Sequence, residues 1–263
     1  MGRIVILKIG GSVITEKDKP LTSRSEGIQS AAEGIAEFGE PLVLVHGAGS
    51  FGHFLARKHG LSRHPSLASP AAVSEIRGSV MELNSMVIGA LRAKGIQVYW
   101  LQPFALYNTE GIHERWKAIL TKLIRQGISP ISFGDVIPTS EGFRIISGDE
   151  IVRDLAELLQ PARVVFATDV DGIYRSYRHD KHPIEELSME EAKLLAVDPV
   201  KIDVTGGMKG KLKEAIKIAG MGINVHFTNG LKEEHLIKAL KGKDHKGTLL
   251  KGKVLAYPTH GTG

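Results

Sequence analysis

Short β-like runs alternate with amphipathic stretches along most of the chain, and this alternation restricts the possible folds more than any other feature. The runs are rich in β-branched or aromatic residues, and most end in Gly, Asn or Asp, as strands often do. Several are apolar at successive positions, which is typical of strands covered on both faces. They are RIVILKIG (3–10), PLVLVHG (41–47), VYWL (98–101), PISFG (130–134), RVVFATD (163–169) and VHFTNG (225–230).

Amphipathic helices are predicted between these runs. The clearest spans residues 70 to 92, where apolar side chains recur every three or four positions at Val73, Ile76, Val80, Leu83, Val87 and Leu91. Similar patterns predict helices at 113–126, 148–159, 188–197, 208–221 and 232–241. Strands that alternate with helices favour a mainly parallel sheet with right-handed crossovers and helices on both faces. The sequence therefore predicts an α/β fold, a three-layer αβα sandwich.

One segment interrupts the alternation. Residues 136–147 place Ser140-Glu141-Gly142 between two β-like pieces, which predicts a hairpin. The last residues, 259–263, contain too little apolar surface to pack, and we expect them to be loose. A chain of 263 residues is long enough for one large α/β domain or two lobes.

Composition excludes several classes of function. The chain has no cysteine, which excludes disulfides, thiolate catalysis and cysteine metal sites. The net charge of +5 fits nucleic acid, an anionic lipid or a small anionic substrate, or simply a surface solvated by lysines. Because the basic residues are scattered and only 6% of residues are aromatic, we expect no nucleic-acid or membrane partner. No apolar run approaches 18 residues and none resembles a signal peptide, so we expect a cytoplasmic protein.

Two glycine-rich turns follow predicted strands. They are KIGGSVITEK (8–17) and HGAGSFGH (46–53). Glycine allows main-chain N–H groups to approach a ligand closely, often an anion, although either turn alone could be no more than a tight β-turn. Neither contains a Walker A pattern or a GxGxxG fingerprint, which argues against a P-loop NTPase and an ordinary Rossmann dehydrogenase. His53, near a helix start, could donate to an oxyanion or be a surface histidine, whereas His46 is interpreted as a semi-buried structural residue.

Three further motifs lie at predicted strand ends or helix starts. ISGDE (146–150) opens a helix that Ser147 or Asp149 could cap, which could be its whole role. ATDVDG (167–172) ends a buried strand in two aspartates, and TGGMKGKLKEA (205–215) is a glycine-rich entry into a lysine-bearing helix. Open α/β sheets bind ligands at the carboxyl ends of their strands. These motifs together therefore indicate one phosphate-handling site.

In this order, KIGGS…K, HGAGSFGH, SGD, TDVDG and TGGMKGK resemble the amino acid kinase superfamily over nearly the whole chain. Within it the sequence is most similar to the isopentenyl phosphate kinase family, chiefly because GAGSFGH ends in His53. Fosfomycin kinases share much of the pattern. Ala48 stands where a third glycine is frequent, and alanine keeps the backbone N–H.

The resemblance implies a single amino acid kinase-like domain over residues 1–263, a homodimer, and the use of ATP and Mg²⁺ with no protein metal ligand. An N-terminal acceptor-binding lobe would span about residues 1–160, and a nucleotide-binding lobe about 161–258. It implies that ATP is bound by Lys8, Ile9, Gly10, Gly11, Ser12, Gly49, Asp169, Gly207 and Lys211. It implies that the acceptor is bound by Ala48, His53 and Gly148, and that the catalytic residues are Lys17, His53, Lys8 and Lys211.

The implied activity is the ATP-dependent phosphorylation of isopentenyl phosphate to isopentenyl diphosphate, in an archaeal-type mevalonate route. A phosphate acceptor needs no general base, because its second pKa is about 6. The donor His53 thus favours a phosphomonoester or phosphonate over an alcohol. Ile76, Val80, Leu83 and Ile146 are the candidates for a small apolar tail pocket. The alternatives are a fosfomycin-type or other small phosphonate kinase, and a non-catalytic nucleotide-binding regulatory or storage protein.

Overall fold

A computed structural model describes residues 4–61, 68–108, 111–175, 180–197 and 206–253. The helices in these ranges are α1 (Gly11–Ile14), α2 (Ser25–Phe38), α3 (Gly49–Lys58), α4 (Pro70–Ala93), α5 (Pro103–Leu106), α6 (Arg115–Arg125), α7 (Gly148–Leu159), α8 (Met189–Val197), α9 (Gly206–Gly220) and α10 (Glu233–Leu240). The expected loose tail, 259–263, lies outside the described residues. None of the described helices is both long and apolar enough to cross a membrane.

The strands in the same ranges are β1 (Val5–Ile9), β2 (Val43–His46), β3 (Val98–Trp100), β4 (Tyr107–Asn108), β5 (Gly111–Ile112), β6 (Ser129–Phe133), β7 (Asp135–Thr139), β8 (Gly142–Ile146), β9 (Arg163–Thr168), β10 (Glu186–Leu187), β11 (Asn224–Asn229) and β12 (Gly247–Leu250). The described part of the main sheet has the order β10-β12-β11-β9-β1-β2-β6-β3. The six strands from β11 to β3 run parallel. Since β12 is antiparallel to β11 and parallel to β10, these two strands run in the opposite direction.

Helices cover both faces of the sheet, which confirms the predicted three-layer αβα sandwich. On one face, Ile6, Val45 and Phe166 pack with apolar residues of α7 and α9. On the other face, Leu7 and Leu44 pack with apolar residues of α2, α4 and α10. Strands β1, β2 and β6 are buried along their whole length, as their mainly apolar sequences predict.

The hairpin predicted at 136–147 is confirmed as β7–β8, with Asp135 paired to Ile146 and Thr139 to Gly142. It lies outside the main sheet and extends beyond the carboxyl end of β6. A third apolar cluster joins β7 to α3 and α4 through residues such as Leu55, Ile76 and Val136. This cluster supports one side of the cleft described below.

Helix α2 is not among the predicted helices. It contains Gly27 and Gly34, which lower helix propensity and dilute the apolar pattern. Packing requires glycine at Gly27, where a Cβ would overlap the carbonyl oxygen of Val13, and favours it at Gly34, where a Cβ would lie 3.0 Å from Leu236 Cδ2. Tertiary contacts thus stabilise a helix that the local sequence signals only weakly.

Candidate active site

A cleft of about 700 Å³ opens at the carboxyl ends of β1, β2 and β9. Its position is that expected for a ligand site in an open α/β sheet. The structure brings most of the predicted site residues together here. Those that line the cleft are Lys8, Gly11, Ser12, Lys17, Ala48, Gly49, His53, Gly148, Asp169, Gly207 and Lys211.

Ile9 and Gly10 do not line the cleft, in contrast to their predicted place in the ATP site. Ile9 is 1% exposed, and its side chain packs in the core against the α2 side of the sheet. Gly10 donates its N–H to the carbonyl oxygen of Ala167 at 2.8 Å. The two residues hold the β1–α1 turn in place beneath the cleft.

The two glycine turns contact each other through their backbones. A Cβ at Gly11 would lie 2.6 Å from the Gly49 nitrogen, and one at Gly47 would lie 2.8 Å from the Gly11 nitrogen. Gly49 has φ of +51°, a conformation that favours glycine. Both turns lead directly into helices, so the amides of Gly11 and Ser12 in α1 and of Gly49 in α3 have no helical acceptor and can reach an anion in the cleft, whereas the Ser50 N–H is bonded to Thr15 Oγ1 at 3.0 Å.

Lys8 and Lys211 share one carboxylate at the bottom of the cleft. Lys8 Nζ lies 2.8 Å from Asp149 Oδ1, and Lys211 Nζ lies 3.3 Å from Asp149 Oδ2. Burial lowers the pKa of Lys8 to about 8, although Asp149 opposes the shift. Burial disfavours the ionised form of Asp149, but the two ammonium groups outweigh it and hold the pKa of this carboxyl below its usual range. Because two ammonium groups face one carboxylate, these three side chains together are net positive.

The start of α7 positions this carboxylate. Of the two predicted capping residues, Ser147 is the cap: its Oγ accepts the Glu150 N–H at 3.1 Å, while Glu150 Oε2 accepts the Ser147 N–H at 2.9 Å. This reciprocal capping box leaves Asp149 free to turn towards the lysines. Gly148 lies close to β2, where an added Cβ would be 3.0 Å from the His46 carbonyl oxygen.

Asp169 forms a second polar group at the end of β9. Ser12 Oγ donates to its Oδ1 at 2.7 Å, and Lys17 Nζ lies 2.7 Å from its Oδ2. Burial opposes ionisation here too, but these two partners hold the pKa of Asp169 below its usual range. The Lys17 side chain is 47% exposed at the cleft, in contrast to the buried Lys8.

His53 lies in the second turn of α3, as predicted, with its ring in the cleft. Although His53 is an exposed residue, desolvation by the surrounding cleft and the nearby cations Lys211 and Lys8 lower its pKa. The imidazole is therefore neutral at physiological pH and keeps one N–H donor. A neutral donor binds a phosphate oxygen without the cost of bringing another cation into the site.

His46 is a buried structural residue, as interpreted from the sequence. Its Nδ1 lies 3.1 Å from the Gly47 carbonyl oxygen, and its Nε2 lies 3.1 Å from Asn84 Oδ1. The ring also stacks on Phe133 at a centroid distance of 5.5 Å. These contacts fix the peptide that leads into the second glycine turn.

One side of the cleft is apolar, and we call its residues Ile76, Val80, Ile145 and Ile146 the tail wall. Leu83, the fourth residue predicted for the tail pocket, does not line the cleft. It lies on the same face of α4, about two turns beyond Ile76, and packs past the cleft in the core shared with α2. The prediction for Leu83 is wrong, and the other three predicted residues do face the cleft.

Sequence reasoning missed several polar residues of the cleft, namely Thr15, Asp135, Asp149 and Glu214. Asp149 belongs to the SGD motif, but its pairing with Lys8 joins positions 141 residues apart in the chain. Asp135 follows β6 and pairs with Arg77 NH1 at 3.0 Å. The sequence could have indicated Asp135, because it is a polar residue directly after a predicted buried strand.

Comparison with known proteins agrees with this geometry. The model of the amino acid kinase family matches residues 3–229. Isopentenyl phosphate kinase of Methanothermobacter thermautotrophicus is 32% identical over 95% of this chain and all of its own length. The enzyme of Thermoplasma acidophilum is 35% identical over 89% of this chain and 94% of its own length.

Solved structures give the same result. The crystal structure of the T. acidophilum isopentenyl phosphate kinase product complex superposes with a TM-score of 0.76, at 30% identity, over 94% of this chain and 100% of that one. Carbamate kinase from Giardia lamblia has a TM-score of 0.71 at 18% identity, over 96% of this chain and 99% of that chain, and shows the shared fold alone. The chain belongs to the amino acid kinase family and, within it, to the isopentenyl phosphate kinases.

Proposed function

We propose that this protein transfers the γ-phosphoryl group of ATP to isopentenyl phosphate and releases ADP and isopentenyl diphosphate. The observation that carries the proposal is one cleft with a cationic end and an apolar side. The cationic end holds Lys8 and Lys211, the tail wall forms the apolar side, and His53 lines the same cleft. Such a site fits two phosphate groups and a short hydrocarbon tail.

The nucleotide end fits ATP. The contact between Gly11 and Gly49 leaves a patch of backbone without side chains, where phosphate oxygens can reach N–H groups. Lys8 and Lys211 add positive charge beside it, and an added Cβ at Gly207 would meet no atom of the described residues within 4 Å. We assign the ATP phosphates to these residues together with Ser12, and the nucleoside to the C-terminal lobe from about residue 161.

Mg²⁺ would enter this site with the nucleotide. The described residues contain no group of three or more His, Asp or Glu side chains that could hold a metal ion. Magnesium commonly binds through substrate phosphates and water with few protein ligands, so this donor set fits it. When bound, the ion neutralises charge on the phosphate oxygens.

The acceptor end requires donors and no base. Phosphoryl transfer depends mainly on positioning and charge stabilisation, and an acceptor phosphate is already ionised near neutral pH. We assign its oxygens to His53 and to the backbone at Ala48 and Gly148, within an N-terminal lobe of about residues 1–160. The hydrocarbon tail would lie against the tail wall.

Lys17 is assigned to the transition state. Partly exposed ion pairs contribute only about 0–1 kcal/mol, so its contact with Asp169 can be exchanged at small cost for a contact with the transferred phosphoryl group. An interaction that strengthens as charge moves between the two phosphates raises the rate rather than the affinity.

We also propose a cytoplasmic homodimer that works in an archaeal-type mevalonate route. Strand β3 pairs with β6 on one side, and its other edge has no partner within the described ranges. Tyr99 and Trp100 on this strand are each 53% exposed, as is Phe104 nearby in the sequence. Exposed aromatic groups at an open sheet edge fit a second copy of the chain. Light scattering of Trp100→Lys should give half the mass of the parent protein, and an unchanged mass would rule out this edge.

An acceptor panel tests the activity. The purified protein is given MgATP with isopentenyl phosphate, isopentenol, fosfomycin or no acceptor, and ADP release is measured. We expect kcat/KM to be highest with isopentenyl phosphate. A preference for fosfomycin would establish the phosphonate kinase alternative, and ATP binding without ADP release on any acceptor would establish a non-catalytic nucleotide-binding protein.

A further inference from the structure

Thr15 connects the two glycine turns of the cleft. The residue is 1% exposed. Its Oγ1 donates to the Gly11 carbonyl oxygen at 2.8 Å and accepts the Ser50 N–H at 3.0 Å. Gly11 belongs to the turn after β1 and Ser50 to the turn after β2, so one hydroxyl bonds to both.

The packing around this hydroxyl is tight. A Cβ at Gly49 would overlap both Oγ1 and Cγ2 of Thr15. The second turn therefore lies directly against the Thr15 side chain at Gly49, a position where the missing Cβ allows the contact and the φ of +51° also favours glycine. Removal of the Thr15 hydroxyl would break the hydrogen bonds that fix one turn relative to the other.

The same point also holds the loop that carries Lys17. Ser50 Oγ donates to the Thr22 carbonyl oxygen at 3.3 Å and lies 3.4 Å from the Thr22 nitrogen, which donates to it. Glu16 donates its N–H to the Thr22 carbonyl oxygen at 3.0 Å, which closes the loop from 16 to 22. Thr15 and Ser50 thus link three segments: the two glycine turns and the Lys17 loop.

We propose that Thr15 is a positioning residue that sets the distance and orientation between the donor-phosphate and acceptor-phosphate subsites. The inference rests on the proposed function, which places ATP phosphates at Gly11 and the acceptor at Ala48. In-line transfer depends steeply on the separation of the reacting groups, and a shift of about 1 Å can cost 10²-fold in rate. When Thr15 changes, Lys8, Lys211 and Ser12 still line the ATP-phosphate subsite and His53 still lines the acceptor subsite, so the effect falls mainly on the relative placement of the two.

Two variants separate the hydroxyl from the side-chain volume. Thr15→Val has nearly the same shape but loses both hydrogen bonds, and Thr15→Ser keeps them. We expect Thr15→Val to lower kcat on the order of 10-fold to 100-fold with each KM changed less than about 3-fold, and Thr15→Ser to stay within about 3-fold of the parent. If Thr15→Val does not fold, Thr15→Ala takes its place, because it removes the methyl group that would press on Gly49.

Thr228→Val is the matched control. Thr228 is fully buried in β11 and outside the cleft, and its Oγ1 has no hydrogen-bond partner among the described residues. The same chemical change at this position should leave kcat and both KM values unchanged.

A binding experiment measures the relative placement directly. The probe is the isopentenyl ester of adenosine 5′-tetraphosphate, which covalently joins the ATP and isopentenyl phosphate moieties. Calorimetry should show at least about 10-fold weaker binding of this probe to Thr15→Val, while a non-hydrolysable ATP analogue and isopentenyl phosphate bind separately as they do to the parent protein.

Three results overturn the proposal: parent-like kcat in Thr15→Val, equal loss of all three ligands, or a Thr15→Ser variant as slow as Thr15→Val. The proposed function fails separately, when the parent protein itself does not phosphorylate isopentenyl phosphate.

Discussion

Lys8 is a buried lysine whose charge is disfavoured by desolvation and by the neighbouring Lys211 cation and favoured by the Asp149 carboxylate. Asp149 stabilises the ammonium group, but burial outweighs it and lowers the pKa of Lys8 to about 8. The free protein therefore has a protonated Lys8 at neutral pH and loses this charge in mildly alkaline solution. This sets the pH range over which the site attracts a polyphosphate.

The pKa of Lys8 determines the direction in which kcat/KM for ATP changes with pH. Because kcat/KM reports groups of the free enzyme, kcat/KM for ATP should fall as the pH rises through about 8. Lys8→Arg keeps its charge to much higher pH, so its profile should lack this fall even if its activity is lower. The same alkaline fall in Lys8→Arg would assign the titration to another group.

His53 should contribute to turnover and little to ATP binding. His53→Ala removes a donor to the acceptor phosphate, and kcat should drop by roughly 10²-fold. His53→Gln keeps an N–H of similar reach, and it should retain more activity than His53→Ala because the imidazole acts as a neutral donor. Steady-state kinetics and calorimetry with nucleotide measure the two effects.

The control for His53 is His59→Ala, which removes a histidine that bonds Glu75 at 2.6 Å outside the cleft. Equal loss in the Gln and Ala variants of His53 would point to proton transfer instead of hydrogen bonding. Full activity in His53→Ala would remove the residue from the site.

Lys17→Ala should lower kcat by on the order of 10² or more with a modest change in acceptor KM, because its cation acts mainly on the transition state. Lys19→Ala is the control on the same loop, since Lys19 is exposed and outside the cleft lining. An unchanged kcat in Lys17→Ala would exclude a catalytic role.

At the scale of elements, the tail wall should determine the chain length of the acceptor. Ile76→Ala, Val80→Ala and Ile146→Ala each enlarge the apolar side of the cleft. At least one should raise kcat/KM for geranyl phosphate relative to isopentenyl phosphate, while each costs about 1–5 kcal/mol of stability.

Leu83→Ala is a matched control, because Leu83 lies on the same helix and is equally buried but packs in the core beyond the cleft lining. It should lose stability without any change in chain-length preference. A changed preference in Leu83→Ala, or none in the three wall variants, would place the tail elsewhere.

Elements with strong local patterns were predictable from the sequence. A run of apolar residues predicts strand β1, and a 3.6-residue apolar period predicts helix α4. A turn containing glycine between two β-like pieces predicts the β7–β8 hairpin. Helix α2 was missed because its glycines are explained only by contacts with Val13 and Leu236. The antiparallel β12 was missed because its four residues carry no alternation to distinguish them from a loop.

The sequence likewise predicts those parts of the site that depend on local motifs and misses those that depend on long-range contacts. Glycine turns at strand ends identify the cleft, because parallel strands bring their carboxyl ends to one edge. The pairing of Lys8 with Asp149 and the position of Thr15 between two turns depend on three-dimensional contacts across the chain. No spacing of residues in the sequence indicates these contacts.

At the scale of the whole molecule, the sheet order places β1 between β2 and β9, so that the two glycine turns and Asp169 meet at one edge. The β7–β8 hairpin and α4 then add an apolar side that a bare nucleotide site would not need. The central claim of this account is that a phosphate ester with a short hydrocarbon tail occupies that side and receives the phosphoryl group.

Product identification by ³¹P NMR tests this claim most directly. The protein is incubated with MgATP and isopentenyl phosphate, and the acceptor phosphorus signal is followed. We predict that the single resonance of the monophosphate is replaced by the two coupled resonances of a diphosphate ester, in step with the appearance of ADP. A monophosphate resonance that stays unchanged while ATP is consumed, or new phosphorus signals only when isopentenol is supplied, would contradict the account.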